Sequence, residues 1–290
     1  MSAGKQFRLG LAGYPLAHSL SPQLHTAALK RLGLEGEYRL YPVLPQDRAA
    51  LAALLDRVRR GELDGLNVTI PHKQTVIPML DELSPVAQGI GAANTVYRRG
   101  GRLVGENTDV SGFWADLERF LGNEAVGAQG KAIVLGAGGA ARAVLHALGS
   151  HGWQVTLAVR RTSLEKAAGL AHVFRAAPFG GSLRWVVLEA AALLPLLDDV
   201  RLLVNATPVG MSPQGGRSPW PKGLEFPPTA GVYDLIYTPR ETRLVRQAKS
   251  AGLRATTGLG MLVEQAIRSF EIWTGQAPAR EVMWRAVEAG

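Results

Sequence analysis

The 290-residue chain contains no cysteine. That absence excludes disulfide bridges, thiolate chemistry and cysteine-ligated metal, and no metal ligand set is predicted. Charged residues are also sparse, at 19%, whereas hydrophobic residues make up 47% of the sequence. The chain can therefore bury substantial cores, and its length predicts one large domain or two ordinary ones.

Long apolar runs are missing as well. No uninterrupted apolar stretch is long enough to span a bilayer, and the first ten residues lack the central apolar block of a secretory signal peptide. We therefore expect a soluble, cytoplasmic protein that does not bind membranes.

The net charge of +8 raises the question of nucleic-acid binding. The densest arginine pairs are Arg59-Arg60, Arg98-Arg99 and Arg160-Arg161, which lie far apart in the sequence. No basic run with interleaved aromatic residues occurs. This dispersed charge favours anionic small ligands over nucleic acid.

Strand and helix patterns alternate through the first 80 residues. Strands at 7–13 and 37–43 precede helices at 23–32 and 47–60, an alternation that predicts parallel βαβ units. The glycine-rich stretch from Gly122 to Gly130 is predicted to be a domain boundary.

A dinucleotide-binding motif follows that boundary. The apolar strand Lys131–Leu135 leads into Gly136-Ala137-Gly138-Gly139-Ala140-Ala141 and then a helix from Arg142. The first glycine allows a tight turn, the second allows the backbone to approach a pyrophosphate, and the helix N-terminus faces the phosphates. This arrangement predicts a Rossmann-type fold.

The end of the next strand favours NADP over NAD. An NAD site uses a carboxylate there to hold the ribose hydroxyls. This chain instead has Arg160-Arg161-Thr162, whose guanidiniums and hydroxyl suit a 2′-phosphate. Further along, residues 206–230 form a long proline- and glycine-rich loop that is predicted to be mobile or to cover a ligand.

Three polar residues, Lys73, Asp109 and Ser21, each have two interpretations. Asn67 to Ile70 is predicted to be a strand, with Pro71 opening a helix that carries Lys73 in its first turn. Lys73 is then either a solvated charge or a functional ammonium. Asp109 is either the N-cap of a helix or the charged partner of Lys73.

Ser21 is likewise ambiguous. It is either the N-cap of the helix at 23–32 or, with Ser19, part of a pocket for a polyol or carboxylate. Neither reading is excluded by the residue types alone.

Eight short motifs together resemble one family. In order they are S-L-S-P, N-V-T-I-P-H-K, A-A-N-T-V, N-T-D-x-x-G, G-A-G-G-A, N-A-T-P-x-G-M, Y-D-x-x-Y-x-P and G-x-G-M-L-x-x-Q. This set, which spans nearly the whole chain, is similar to the shikimate dehydrogenases of the quinate/shikimate dehydrogenase family.

The resemblance implies an α/β protein with two domains. Residues 1–110, completed by about 257–290, would form an α/β substrate domain with a mostly parallel sheet to which the C-terminal helices return. Residues 111–256 would form a Rossmann NADP-binding domain, with the active site in the cleft. The implied reaction is the reversible NADPH-dependent reduction of 3-dehydroshikimate to shikimate, a step of chorismate and aromatic amino-acid biosynthesis, in a monomer or homodimer.

The resemblance also assigns roles to residues. Lys73 and Asp109 correspond to the catalytic pair. Substrate binders would be Ser19, Ser21, Thr69, Asn94 and Gln265, with Asn67 and Tyr237 as further candidates. Cofactor binders would be Gly136, Ala137, Gly138, Gly139, Ala140, Arg160, Arg161, Thr162, Thr207, Gly258 and Met261.

The chain departs from the family pattern at two positions. Arg160 replaces the usual Asn, which leaves open which guanidinium holds the 2′-phosphate, and Thr257 stands where many members have Asp. Quinate, dual quinate/shikimate and aminoshikimate-type dehydrogenases remain alternatives, as does a non-catalytic NADP-binding regulator. Within the resemblance, Ser-x-Ser rather than Ser-x-Thr favours shikimate.

Overall fold

The computed structural model divides the chain into two compact units. The described residues are 5–122, 130–176, 179, 181–213 and 215–288. One unit contains Met1–Gly112 and Leu262–Gly290, and the other contains Phe113–Met261. The boundary predicted at Gly122 to Gly130 lies almost wholly outside the described residues.

A six-stranded sheet forms the first unit. Its strands are β1 (Phe7–Gly13), β2 (Gly36–Pro42), β3 (Gly65–Val68), β4 (Glu82–Leu83), β5 (Thr95–Arg99) and β6 (Arg102–Glu106), in the spatial order β2-β1-β3-β5-β6-β4. Strand β1 is parallel to β2 and β3, whereas β5 is antiparallel to β3 and β6. Because β1 and β3 end at the same edge, the loops that carry Ser19 and Lys73 both start there.

The helices of this sheet follow the predicted pattern. They are α1 (Ser21–Arg31), α2 (Arg48–Arg59) and α3 (Pro85–Ile90). Asp47 caps α2 by accepting a hydrogen bond from the Ala50 amide at 2.9 Å. The apolar face of α2 packs into the core through Leu51, Leu54, Leu55 and Val58, all buried.

The division between the units falls inside two helices. Helix α4 (Thr108–Leu121) starts in the first unit and ends in the second. The reverse holds for the helix Leu259–Thr274, described below.

The second unit is a fully parallel sheet. Its strands are β7 (Lys131–Leu135), β8 (Gln154–Val159), β9 (Ser182–Val187), β10 (Val200–Asn205), β11 (Gly231–Asp234) and β12 (Ala255–Thr257), in the order β12-β11-β10-β7-β8-β9. Its helices are α5 (Gly139–Ser150), α6 (Leu164–Ala176), α7 (Ala190–Leu193) and α8 (Arg243–Ser250). This order reverses direction between β7 and β10, which is the switch point where doubly wound sheets bind nucleotides.

Two helices complete the chain. They are α9 (Leu259–Thr274) and α10 (Arg280–Glu288). Helix α9 buries Val263, Ala266, Phe270 and Trp273. Helix α10 buries Met283 and Val287. From Leu262 onward, these segments belong to the first unit.

The expectation of a helix opened by Pro71 is wrong. Strand β3 covers Gly65–Val68 rather than 67–70, and a series of turns leads to a 3-10 helix at Ile77–Met79. Backbone groups of this segment are paired elsewhere: the Thr69 amide donates to Ala12 and the Lys73 carbonyl accepts from Ala93. These tertiary bonds take the place of helical ones.

The N-cap reading of Ser21 is also wrong. Helix α1 begins at Ser21 itself, after Leu20. The Ser19 hydroxyl accepts the Ser21 amide, the first amide of the helix, at 3.3 Å.

Smaller differences concern element ends. Helix α5 starts at Gly139, earlier than the predicted Arg142. Helix α8 is capped by Thr242, whose hydroxyl accepts the amide of Val245 at 3.3 Å. Strand β11 ends at Asp234, whose carboxylate accepts the amide of Ile236 where the chain turns.

Candidate active site and nucleotide-binding site

Lys73 and Asp109 form a close, largely buried ion pair in the first unit. The Nζ atom of Lys73 donates to Oδ2 of Asp109 at 2.5 Å. Their side chains are 17% and 7% exposed. An ammonium has three N–H donors, and no other hydrogen bond from Lys73 to a described residue occurs, so two donors are available to a ligand.

A second residue holds the Asp109 carboxylate. Its Oδ1 atom accepts a hydrogen bond from Asn94 at 2.9 Å. The amide of Asp109 donates to the side chain of Asn107 at 3.2 Å. The N-cap reading of Asp109 is therefore wrong, because Asn107 accepts the helix amide and the Asp109 carboxylate points to Lys73. Its charge in the first turn of α4 still suits the helix dipole.

Asn94 is fixed in turn by Thr108. Its Oδ1 atom accepts the Thr108 amide at 2.8 Å, and its Nδ2 atom donates to the Thr108 hydroxyl at 2.9 Å. Asn94 is 2% exposed. Asn94, the residue before β5, thus links Thr108 to the Asp109 carboxylate and limits the motion of that carboxylate.

Asn67 lies behind this group. Its Nδ2 atom contacts the carbonyl oxygen of Asn94 and the hydroxyls of Thr95 and Ser269, at 3.1, 3.1 and 3.2 Å. Its Oδ1 atom accepts from Tyr38 at 2.8 Å. Buried and with both polar atoms engaged, Asn67 connects β3 to β5 and α9.

No motif indicated the hydroxyl cluster around Asn67. Ser269 lies 2.8 Å from Thr95 and 3.1 Å from Thr108, and it donates to the carbonyl of Gln265 at 3.0 Å. The sequence contains one indication of Ser269, because position 269 lies one helical turn beyond Gln265 and therefore on the same face of the helix.

The remaining predicted substrate binders divide between the units. Ser19, Ser21, Thr69 and Gln265 belong to the first unit, and Nε2 of Gln265 donates to the carbonyl of Leu262 at 2.8 Å. Tyr237 belongs to the second unit, and burial raises the pKa of its phenol.

The glycine turn has the geometry that the motif predicts. Gly136 has φ of +101°, and an added Cβ would lie 2.8 Å from the methyl of Thr207. A Cβ on Gly138 or Gly139 would instead meet no atom within 4 Å. The open space lies at the start of α5, whose first-turn amides have no intrahelical acceptor. These residues, with Ala137 and Ala140, fit a pyrophosphate.

Thr207 is positioned by its neighbours. Its hydroxyl donates to Asn205 at 2.7 Å and accepts the amide of Val209 at 3.2 Å. After β12, Gly258 approaches Leu235 so closely that a Cβ would lie 2.2 Å from the Leu235 carbonyl oxygen. Met261 is buried in the first turn of α9.

The two arginines after β8 differ in their surroundings. Arg161 makes two hydrogen bonds to the carboxylate of Glu189, at 2.7 and 2.8 Å. No hydrogen bond or ion pair joins the Arg160 guanidinium or the Thr162 hydroxyl to a described residue. Guanidinium and hydroxyl groups of this kind fit a phosphate.

Neither a metal centre nor a membrane span is found in the described part of the chain. Within those ranges, no group of three His, Asp or Glu side chains could hold a metal ion. No helix there has the length and apolar character needed to cross a bilayer.

Sequence comparison decides the family. The family model for the shikimate dehydrogenase substrate binding domain matches residues 11–96, and that for the shikimate 5′-dehydrogenase C-terminal domain matches residues 258–288. The shikimate dehydrogenase (NADP(+)) of Salinibacter ruber is 42% identical over 280 residues, 96% of each chain. The chain belongs to the shikimate dehydrogenase family.

Solved structures of this family superpose on the chain. Shikimate 5-dehydrogenase from Thermus thermophilus, in complex with NADP(H) and shikimate, is 41% identical with a TM-score of 0.84, over 98% of this chain and 99% of that one. A quinate dehydrogenase from Corynebacterium glutamicum in complex with NAD is 33% identical with a TM-score of 0.86, over 99% and 100%.

Proposed function

We propose that this protein is an NADP-dependent shikimate dehydrogenase, an oxidoreductase that reversibly reduces 3-dehydroshikimate to shikimate. The observation that carries the proposal is the Lys73–Asp109 pair, which leaves two ammonium donors for a substrate oxygen. The relatives named shikimate dehydrogenase (NADP(+)), at about 40% identity over nearly the whole chain, support the same reaction.

The division of labour follows the two units. The first unit, whose residues 11–96 match the substrate-binding family model, binds shikimate. The second, with its parallel sheet and open glycine turn, binds NADP. The protein acts in chorismate and aromatic amino-acid biosynthesis, in the cytoplasm, as a monomer or homodimer.

Lys73 is the acid–base group of this mechanism. Bound NADPH supplies the hydride. As the ketone oxygen gains negative charge, the Lys73 ammonium hydrogen-bonds to it and provides the proton. Asp109 keeps the ammonium oriented, and Asn94 fixes the carboxylate from the opposite side.

Other side chains orient the ligands. Substrate hydroxyl and carboxylate groups are bound by Ser19, Ser21, Thr69, Asn94 and Gln265, with contributions from Asn67 and Tyr237. NADP is bound by Gly136, Ala137, Gly138, Gly139, Ala140, Arg160, Arg161, Thr162, Thr207, Gly258 and Met261. The engaged polar atoms of Asn67 support an indirect contribution, through the position of Asn94.

The decisive experiment replaces Lys73. Lys73→Ala should lower kcat for shikimate oxidation by about 10²–10⁴-fold, because a positioned proton-transfer group is lost. NADPH binding, measured by titration, should stay unchanged. Lys30→Ala, an exposed lysine on α1, is the matched control. An unchanged kcat in Lys73→Ala would refute the assignment.

A second candidate is a quinate or dual quinate/shikimate dehydrogenase, because the Corynebacterium glutamicum match is a quinate dehydrogenase in complex with NAD. Shikimate and quinate assayed with NADP and with NAD separate the possibilities. Turnover of shikimate with NADP and little turnover of quinate supports the proposal. No turnover of either alcohol would favour an NADP-binding regulatory protein.

A further inference from the structure

We propose that Arg160, and not Arg161, binds the 2′-phosphate of NADP and determines the preference over NAD, an inference that rests on the proposed NADP dependence. The two guanidiniums are adjacent in sequence but differ in their neighbours and in the net charge around them.

Arg161 is already paired. Its Nε and Nη2 atoms donate to the two carboxylate oxygens of Glu189 at 2.7 and 2.8 Å. This two-point geometry is the same one that a guanidinium uses to bind a phosphate. Glu189 therefore occupies the face of Arg161 that the phosphate would need.

The pair also holds Arg161 on the far side of the site. Glu189 follows β9, and the sheet order places β9 on one side of β8 and β7 on the other. The glycine turn that receives a dinucleotide is at the end of β7, and the ribose lies between that turn and the end of β8. The Arg161 guanidinium is thus drawn away from the ribose.

Arg160 has the opposite properties. It follows Val159, the last residue of β8, and has the extended backbone angles φ −63° and ψ 153°. The amide of Gly136, in the glycine turn, donates to Ala158 at 2.9 Å, so the ends of β7 and β8 are tied together beside it. No described residue pairs with the Arg160 guanidinium, whose charge and donors stay available to a phosphate.

The net charge around each arginine is a stronger argument than the strength of the Arg161–Glu189 ion pair. An exposed ion pair is weak, so Arg161 could leave Glu189. That movement would leave an unpaired carboxylate near a phosphate of two negative charges. Arg161 and Glu189 together carry no net charge, whereas Arg160 contributes a full positive charge. Glu189 therefore weakens the preference for NADP over NAD. The planar guanidinium of Arg161 stacks on the adenine ring instead.

The test is a calorimetric titration of NADP⁺ and NAD⁺ into the whole protein and four variants. Arg160→Ala should raise the Kd for NADP⁺ about 10–100-fold, the range for losing a hydrogen bond between charged groups, and leave that for NAD⁺ within about twofold of the wild type. Arg161→Ala should change both by the same small factor. Glu189→Gln should tighten NADP⁺ selectively.

Each contrary outcome is specific. A loss of NADP⁺ preference in Arg161→Ala with retention in Arg160→Ala would overturn the proposal, and so would equal losses in both. Partial recovery in Arg160→Lys would support a phosphate contact, since the charge returns without the two-point geometry. Binding is read without turnover, so a failure of shikimate oxidation in the wild type would concern the proposed function alone.

Discussion

The imidazole of His25 stacks on the ring of Tyr38, with centroids 4.3 Å apart and planes 5° apart. His25 is completely buried, and neither ring nitrogen is hydrogen-bonded to a described residue. Burial lowers the pKa of His25 to about 3. A neutral histidine is thus part of the core of the first unit.

The first prediction concerns acid stability. Between pH 6.5 and about 3 the unfolded chain binds a proton at His25 that the folded chain does not. The free energy of unfolding is therefore highest above pH 6.5 and decreases as the pH falls. From pH 7 to 5 this amounts to about 2 kcal/mol. His25→Gln should remove that loss, so hydrogen exchange in the first unit should show a smaller pH dependence. His172→Gln, at an exposed position, is the control, and an unaltered pH dependence in His25→Gln would contradict the prediction.

The second prediction has the opposite sign. Burial raises the pKa of Asp234 to about 6 from 3.8. Between these values the folded state keeps a proton that the unfolded state has lost, so stability falls as pH rises. Asp234→Asn keeps an oxygen for Asn205 and Ile236 and an N–H for the Thr242 hydroxyl.

Relative to the wild type, Asp234→Asn should therefore gain about 2 kcal/mol between pH 4.5 and 7. Hydrogen exchange of second-unit amides measures this unit by itself. Asp198→Asn, on an exposed turn, controls for the charge change. A gain that is equal at both pH values would show that ionisation is not its cause.

The third prediction concerns the contact of Gly65 with Trp273. A Cβ on Gly65 would lie 2.2 Å from the indole, which also donates to the Val96 carbonyl at 3.2 Å. Gly65→Ala should lower the free energy of unfolding by about 3 kcal/mol through overpacking. Gly169→Ala, in open space on α6, should raise it by about 0.5–1 kcal/mol. Thermal melting with tryptophan fluorescence compares the two, and equal melting temperatures would refute the steric argument.

The fourth prediction concerns the buried hydroxyl of Ser269. Ser269→Ala leaves Asn67 and Thr95 with fewer hydrogen-bond partners. It should lower the free energy of unfolding by about 1–3 kcal/mol. Because Asn67 also contacts Asn94, the KM for shikimate should rise while the Kd for NADP⁺ stays constant. Ser111→Ala, at an exposed position on α4, should alter neither quantity. A rise in both constants would point to a general loss of structure.

Local patterns predicted much of the fold. The buried spacing of Leu51, Leu54, Leu55 and Val58 specified helix α2, and the apolar run before Gly136 specified β7, because each depends on neighbours in sequence. The fold class was confirmed for the same reason. Pro71 failed as a helix start, since tertiary bonds to Ala12 and Ala93 determine the path there.

The site needed contacts between distant residues. Motif resemblance named Lys73 and Asp109, and only the structure gives the 2.5 Å between them. Ser269 lies 202 residues from Asn67, and no local pattern records such a pairing. Local sequence patterns also could not predict the different surroundings of Arg160 and Arg161, because Glu189 lies 28 residues beyond Arg161.

The first unit is assembled from separated parts of the chain, and this sets an order of events on the ribosome. Residues 113–261 are synthesised before Trp273 and Ser269 exist, so the second unit can complete its fold first although its synthesis begins later. At the usual elongation rates the residues around Gly65 and Asn67 are synthesised roughly 10–40 s before these partners. During that interval the surface that Trp273 covers in the folded unit stays exposed, and such exposure favours aggregation.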